Sequence, residues 1–260
     1  MNKTQFLDHV TPLILTYNEE ANIQRTLQRL TWAKEIVIID SYSNDKTLEI
    51  IAQYPQCRVI QRTFDTHAQQ WNFGLDEVKT EWVLTLDADY ILSEELLTEL
   101  KSFSPSSSDN GYSVGFKYCV FGHPLRKDNL TPRIVLFKNG EGRYIDDGHT
   151  QILQLQGEYG TLKSIIYHDD RKSVGRWLWA QDRYLNLETE KLRQTSSTEL
   201  DLRDKIRQRK VIAPFIIFFY CLFYKQLIFD GWRGLYYTFQ RTFVELLLSI
   251  KLMEYDLKQK

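Results

Sequence analysis

Two carboxylates one residue apart, Asp87 and Asp89 in WVLTLDADY, follow an apolar run from Trp82 to Leu86. Such a run reads as a strand buried on both faces of a parallel sheet. An ionised carboxylate left unpaired in an apolar interior costs many kcal/mol, so the pair belongs at the strand's carboxyl end. That edge is where open α/β sheets bind ligands, and two carboxylates there could hold a hard divalent cation against a phosphate. The same residues also read as a capped turn ahead of a helix starting at Ser93.

The flanking elements must bring other groups to that edge. TPLILT reads as a first strand, Ala21 to Leu30 as a helix, EIVIID as a second strand, and roughly Lys46 to Gln53 as a second helix. A short third strand over Arg58 to Gln61, a helix through Gln70 to Val78 and the strand WVLTLD complete a βαβαβαβ order. Right-handed crossovers then place four strands in one parallel sheet. Its carboxyl edge gathers Thr16, Tyr17, Asn18 and Glu19, then Asp40 and Ser41, then Asp87 and Asp89. No GxGxxG and no GxxxxGK[ST] stands at these turns, which argues against a Rossmann dinucleotide site and a P-loop. Asp40 could accept from a base N–H or a ribose hydroxyl and Tyr17 could stack on a base, although a turn role suits Asp40 equally.

PLILTYNEEANI, VIIDSYSNDKT and WVLTLDADY, in that order and at these separations, resemble the family 2 glycosyltransferases of GT-A fold, closest to their lipopolysaccharide-core glucosyltransferase-like branch. The resemblance is strongest over about residues 10–90. It implies an α/β fold, a Rossmann-like mixed sheet flanked by helices, and a transferase using a nucleotide-activated sugar, usually a UDP-sugar, with inversion at the anomeric carbon. It also implies a divalent metal, Mg2+ or Mn2+, at Asp87 and Asp89, and a nucleotide pocket lined by Thr16, Tyr17, Glu19 and Asp40. Gln70 and Asn72 in RTFDTHAQQWNFGL carry over as donor-site residues. His168 carries over as a third metal ligand or pyrophosphate contact, with Arg171 and Lys172 near enough in sequence to offset diphosphate charge. Tyr90 departs from the branch, which often has an acid after the DAD.

An inverting transfer needs a base for the acceptor hydroxyl. RYIDDGHTQIL offers Asp147 as first choice and Asp146 as second, a turn before Gly148 being the other reading. Strand-like segments at Tyr112 to Phe121, Ile134 to Phe137 and Leu162 to Tyr167 make this the acceptor half. The expected division is therefore residues 1–198 as the GT-A domain, with 10–103 binding donor and 111–198 binding acceptor, and residues 199–260 as a helical extension. Along Trp177 to Leu192, Trp177, Gln181, Tyr184 and Glu188 are read as a packing stripe.

With 33 basic against 34 acidic side chains, the chain has no global attraction to nucleic acid. Cys57, Cys119 and Cys221 lack metal-type spacing and suit a reducing, cytoplasmic setting, and MNKTQFLDHV shows no secretory signal. Arg203, Lys205, Arg207, Arg209 and Lys210 lead into VIAPFIIFFYCLFY, which is shorter than the roughly 20 apolar residues of a bilayer span. Basic residues before an aromatic-rich segment predict a helix lying in the inner face of the cell membrane, with a dimer interface or a helix covering the sheet as alternatives. FDGWRG extends the resemblance into this region. The expected activity is thus sugar transfer to a cell-envelope or lipid-linked glycan. A nucleotidyltransferase, or an inactive sugar-nucleotide-binding membrane scaffold, is the alternative.

Overall fold

The β-rich runs alternate with helices as the periodicity requires. In the computed structural model, which describes residues 6–147, 150–196, 198 and 200–258, the first strands are β1 (Val10–Thr16), β2 (Ile36–Asp40), β3 (Cys57–Gln61) and β4 (Trp82–Asp87). Between them run α1 (Ile23–Gln28), α2 (Thr47–Ile51) and α3 (His67–Glu77). The strands pair in parallel in the order β3-β2-β1-β4. Alternate residues point to opposite sheet faces and enter separate cores. Ile14, Ile38, Leu84 and Leu86 pack with α1, while Leu13, Val37, Ile39 and Val83 pack with Trp71 and Leu75 of α3. Gly74 lets α3 approach closely, since a Cβ there would lie 2.7 Å from a Leu13 methyl.

The chain then adds β5 (Tyr90–Leu92), α4 (Glu94–Lys101), β6 (Asp109–Val120), β7 (His123–Lys138), β8 (Gly142–Asp147), β9 (Thr150–Leu155) and β10 (Glu158–His168). Among the described residues the main sheet has eight strands ordered β3-β2-β1-β4-β7-β6-β10-β5, and β8 and β9 form a separate hairpin. The sheet is mixed because β7 runs antiparallel to β4 and β6, and β5 antiparallel to β10. Ser93 does cap α4, its hydroxyl accepting from the Leu96 amide at 3.1 Å, but β5 intervenes between Asp89 and that helix. Two features were not expected from sequence: the three-residue β5, and the hairpin, whose TQILQL strand is rich in amides.

Two compact units result. The first is the chain through Pro124 with Asn129–Lys172, and it holds both sheets. The second comprises Leu125–Asp128 and everything from Ser173. It contains α5 (Val174–Gln194), α6 (Leu202–Gln208), α7 (Ile212–Phe219), a π-helical turn over Tyr220–Tyr224, a 3-10 turn over Leu227–Asp230 and α8 (Gly231–Lys258). The buried positions of α5 are Leu185, Glu188, Thr189 and Leu192, so of the expected stripe Glu188 is the buried member while Tyr184 is exposed. Pro214 sits in the first turn of α7, where its missing N–H has no helical partner to lose.

FDGWRG has a backbone reason in this unit. Gly231 adopts φ 58° and ψ −138°, a conformation open essentially to glycine. A Cβ on Gly234 would lie 1.8 Å from the Leu227 carbonyl oxygen. Asp230 accepts from the Arg126 amide at 3.1 Å and pairs with its guanidinium at 3.3 Å.

Candidate active site

Register sets the level of the carboxyl edge. Thr16 pairs with Asp40, and Leu15 with Asp87, so β1, β2 and β4 end together. The loops after β1 and β2 are laced to each other: the Asn18 amide donates to Ser43 Oγ at 2.9 Å, the Asn44 amide to Asn18 Oδ1 at 2.8 Å, and the Glu19 amide to Thr47 Oγ1 at 2.7 Å. Asn18 and Tyr42 hold positive φ in these loops, a cost that such lacing can sustain. Asp40 is fully buried and already saturated. It accepts from the Thr16 hydroxyl at 2.8 Å, the Ser43 hydroxyl at 2.6 Å, the Ser43 amide at 2.9 Å and Gln61 Nε2 at 3.3 Å. In this arrangement Asp40 and Thr16 organise the turn, and a ligand reaching Asp40 has to displace Gln61. Tyr17 is exposed at the same edge.

The expected carboxylates do converge with residues from the end of β10. His168 Nε2 lies 3.1 Å from Asp89 Oδ2. The His168 ring is flanked by Tyr90 and Tyr118 at centroid distances of 5.3 and 5.1 Å. Burial opposes ionisation of Asp89, but His168 overrides it and the carboxyl falls to about 2. Burial also opposes the His168 cation, and Asp89 again prevails, so that imidazole is raised. Asp87 goes the other way, raised by burial and by the charge of Asp89. Asp89 Oδ1 and His168 Nδ1 are buried with no hydrogen-bond partner among the described residues. Tyr90, the departure from the branch pattern, is buried, and its hydroxyl accepts from Arg133 at 3.0 Å.

Beside this pair stands a second one that the sequence barely signalled. Lys172 Nζ lies 2.7 Å from Glu19 Oε1, and Asn22 Nδ2 donates to Glu19 Oε2 at 3.0 Å. Burial pushes Glu19 up to about 7, against the pull of Lys172. Burial works against the Lys172 ammonium, yet Glu19, Asp89 and Asp170 hold it above its usual value. The loop bearing Lys172 is fixed to α1: Asn22 Nδ2 donates to Asp170 Oδ1 at 2.8 Å, the Arg171 amide donates to Asn22 Oδ1 at 2.9 Å, and Arg25 pairs with Asp169. Thr26 Oγ1 of α1 donates to the Ala88 carbonyl at 2.7 Å, and the Asp169 amide to the Asp89 carbonyl at 3.0 Å. The DAD segment is therefore held from both sides. A helix face carrying Asn22, Arg25 and Thr26 was the available signal.

Other expected site residues lie in structural roles. Gln70 is buried, accepting from Arg62 and donating to Ser41 Oγ at 3.0 Å. Asn72 spends its amide on the hairpin, Nδ2 donating to the Tyr144 carbonyl at 2.8 Å and Oδ1 accepting from the Tyr144 amide at 2.9 Å. Asp146 is exposed, and its Oδ1 accepts from the Ala68 amide in the first turn of α3 at 3.3 Å. Asp147 ends β8 with its backbone; its side chain, with Gly148 and His149, lies outside the described residues.

No group of three His, Cys, Asp or Glu side chains among the described residues is arranged to cage a metal ion. A cation such as Mg2+ needs no such cage, because it takes one or two carboxylates from protein and completes its shell with phosphate and water. Asp89 Oδ1, anionic, buried and without a partner among the described residues, with Asp87 beside it in sequence, is a donor set that fits one.

Residues 13–131 match the family model Glycosyl transferase family 2. This stretch is a family 2 glycosyltransferase domain. An uncharacterized glycosyltransferase of Rickettsia bellii is 33% identical over 48% of this chain and 42% of its own length. The lipopolysaccharide core biosynthesis glycosyltransferase LpsC of Rhizobium meliloti is 29% identical over 52% and 53%. The matched part thus spans about half the length of these two relatives. Among solved structures, the mannosyltransferase PcManGT from Pyrobaculum calidifontis, in complex with GDP-Man and Mn2+, superposes with a TM-score of 0.51 over 94% of this chain and 87% of that one, at 13% identity. The shared fold is GT-A, in agreement with the sequence resemblance.

Proposed function

We propose that the chain transfers a sugar, with inversion, from a nucleotide sugar, UDP-linked in the first instance, to a cell-envelope or lipid-linked glycan. The observation that carries this reading is the meeting of Asp87, Asp89 and His168 beside the Glu19–Lys172 pair at the carboxyl edge of a family 2 domain. Asp87 and Asp89 would hold a divalent cation, with His168 fixing the orientation of Asp89. When bound, such an ion neutralises charge on the donor diphosphate. Lys172, and Arg171 where it can leave Asp169, add positive charge beside the leaving group. Tyr17 offers an aromatic face to the base.

The acceptor proton is assigned to Asp147, with Asp146 as alternative. As the carboxylate takes that proton, the acceptor oxygen bonds to the anomeric carbon, and the bond from that carbon to the phosphate oxygen breaks on the opposite face. The products are the glycoside and a nucleoside diphosphate.

The same reading places the protein peripherally on the inner face of the cell membrane. Phe215, Phe219, Phe223, Tyr224 and Trp232 are all more than half exposed, Trp232 at 86%, a surface that water disfavours. No single helix among the described residues is long and apolar enough to cross a membrane; α7 with its π-helical turn, and the segment from Leu227 through α8, pass the length and composition criterion together but are bent by 69°. This supports an interfacial position. The basic contribution is smaller than the sequence suggests: Arg207 is spent on Glu245 and Glu188 at 2.7 and 3.0 Å, and Lys210 on Asp256, which leaves Arg203, Lys205 and Arg209 exposed.

The test is to incubate the full chain with a panel of nucleotide sugars and Mg2+ or Mn2+ and to identify the released nucleotide. Nucleoside diphosphate supports the reading. Pyrophosphate release indicates a nucleotidyltransferase, and binding without turnover for every donor and acceptor indicates the inactive scaffold.

A further inference from the structure

Tyr90 directly follows the two carboxylates and is 5% exposed. Its backbone pairs with that of His168 across β5 and β10, and its ring meets the His168 ring edge to face at a centroid distance of 5.3 Å. On another side the ring packs on Phe116 at 4.9 Å. These contacts fix where the phenol points. The Arg133 guanidinium, from β7, lies 6.0 Å from the Phe116 ring centroid and donates to the Tyr90 hydroxyl at 3.0 Å. The same hydroxyl shares a hydrogen bond with the Asp87 side chain.

The polarity of this chain of bonds follows from the groups in it. A guanidinium only donates, so the phenol oxygen accepts from Arg133. An ionised carboxylate only accepts, so the single phenol proton goes to Asp87. Packing alone does not ask for the hydroxyl. Phenylalanine would meet Phe116 and His168 equally well, and burying an O–H carries a cost that its hydrogen bonds have to offset. Asp89 is held in a corresponding way, by His168 Nε2 at 3.1 Å. Each carboxylate is thus tied to one ring, and the two rings touch each other.

We propose that Tyr90 is a positioning residue of the cation site, setting the direction of Asp87 as His168 sets that of Asp89. The inference rests on the reading of Asp87 and Asp89 as the carboxylates that hold a divalent cation. Outer hydrogen bonds of this kind keep metal ligands in place, and their loss lowers metal affinity by about ten- to a hundredfold. The loss should depend on the ion. Mg2+ demands near-ideal octahedral geometry, whereas Ca2+ accepts flexible surroundings.

The test is Mn2+ binding to the full chain with UDP present, read as free ion by electron paramagnetic resonance against a protein-free UDP control, with Mg2+ and Ca2+ as competitors. Asp89→Ala should lose the ion. Tyr90→Phe, its folding confirmed by circular dichroism, should weaken Mn2+ and Mg2+ by about tenfold or more and Ca2+ by a smaller factor, so that the ratio of Mg2+ to Ca2+ affinity falls. Arg133→Met, on an exposed side chain, is the second variant. It removes a positive charge, which shifts all three ions alike, but it also frees the phenol, so the same ratio should fall; this variant decides alone if Tyr90→Phe does not fold. An unchanged ratio in a folded Tyr90→Phe, while Asp89→Ala loses the ion, overturns this inference and leaves the proposed function standing. Absence of Mn2+ binding by the wild type, or binding that survives Asp89→Ala, overturns the cation reading and this inference together.

Discussion

On the proposed reading Asp89 is the residue on which the chemistry depends most directly, because one oxygen is engaged by His168 and the other is buried with no partner among the described residues. Asp89→Ala should abolish metal-dependent release of nucleoside diphosphate and leave the far-ultraviolet spectrum unchanged; retention of most activity would remove the metal role from this segment. For Asp147→Asn the expectation is a fall in turnover of about a hundredfold with donor affinity little changed, the signature of a lost general base. A loss in Asp146→Asn alone would move the role to its neighbour. Glu19 gives a pH test. Its carboxyl is raised to about 7 in the folded chain by burial, partly offset by Lys172 and reinforced by Asp89, against an ordinary value of 4.5. The folded state therefore binds this proton more tightly than the unfolded state. The associated stability is present below about 4.5 and is lost as pH rises through about 7. Denaturant titrations of wild type and Glu19→Gln should show the wild type losing ground to the variant across that window. A gain instead would mean that the Lys172 pairing outweighs burial.

Elements were legible in the sequence to the extent that one physical rule governed them. The four parallel strands and three helices of the first half follow from apolar runs bounded by polar turns, and all were anticipated to within a few residues. β5 was not, because three residues carry no period and its partner is β10, far along the chain. The hairpin escaped for a related reason: GRYIDD has no regular apolar alternation, TQILQL places two adjacent aliphatics between its glutamines, and what fixes the pair is Asn72 on α3, which imitates a neighbouring strand by bonding both backbone groups of Tyr144. Asn72 was thus visible as a special residue but not as a structural one. Asn72→Ala should cost about 1–3 kcal/mol, since it leaves two part-buried backbone groups unpaired; thermal unfolding measures it. Gly234→Ala tests the close approach in the helical unit. The added methyl meets a backbone carbonyl that cannot rotate away, so a loss of about 2–3 kcal/mol is expected, and an unchanged melting temperature would refute the contact.

At the scale of the whole molecule, the balanced charge of the chain conceals a local asymmetry: the surface of α7 and its following turns is aromatic, and three exposed basic residues stand just before it. If those residues face anionic headgroups, each contributes on the order of 1 kcal/mol, weakened by salt. High salt should then reduce flotation of the full chain with anionic vesicles without abolishing it, and Phe219→Glu with Phe223→Glu should abolish it at any salt. Flotation unaffected by the double substitution would take this segment out of the membrane. The strand order has a further consequence, for the timing of folding. Asp89 and His168 are separated by 79 residues, and the strand following Asp89 finds its partner only in β10. Closing so long a loop is entropically costly and comes late. During synthesis the parallel half of the sheet, with its laced loops, can assemble while β10 is still inside the ribosome. Until His168 and Lys172 emerge, Asp89 lacks its imidazole and Glu19 its ammonium, so a growing chain has the scaffold and the carboxylates of the site well before it has their cationic partners.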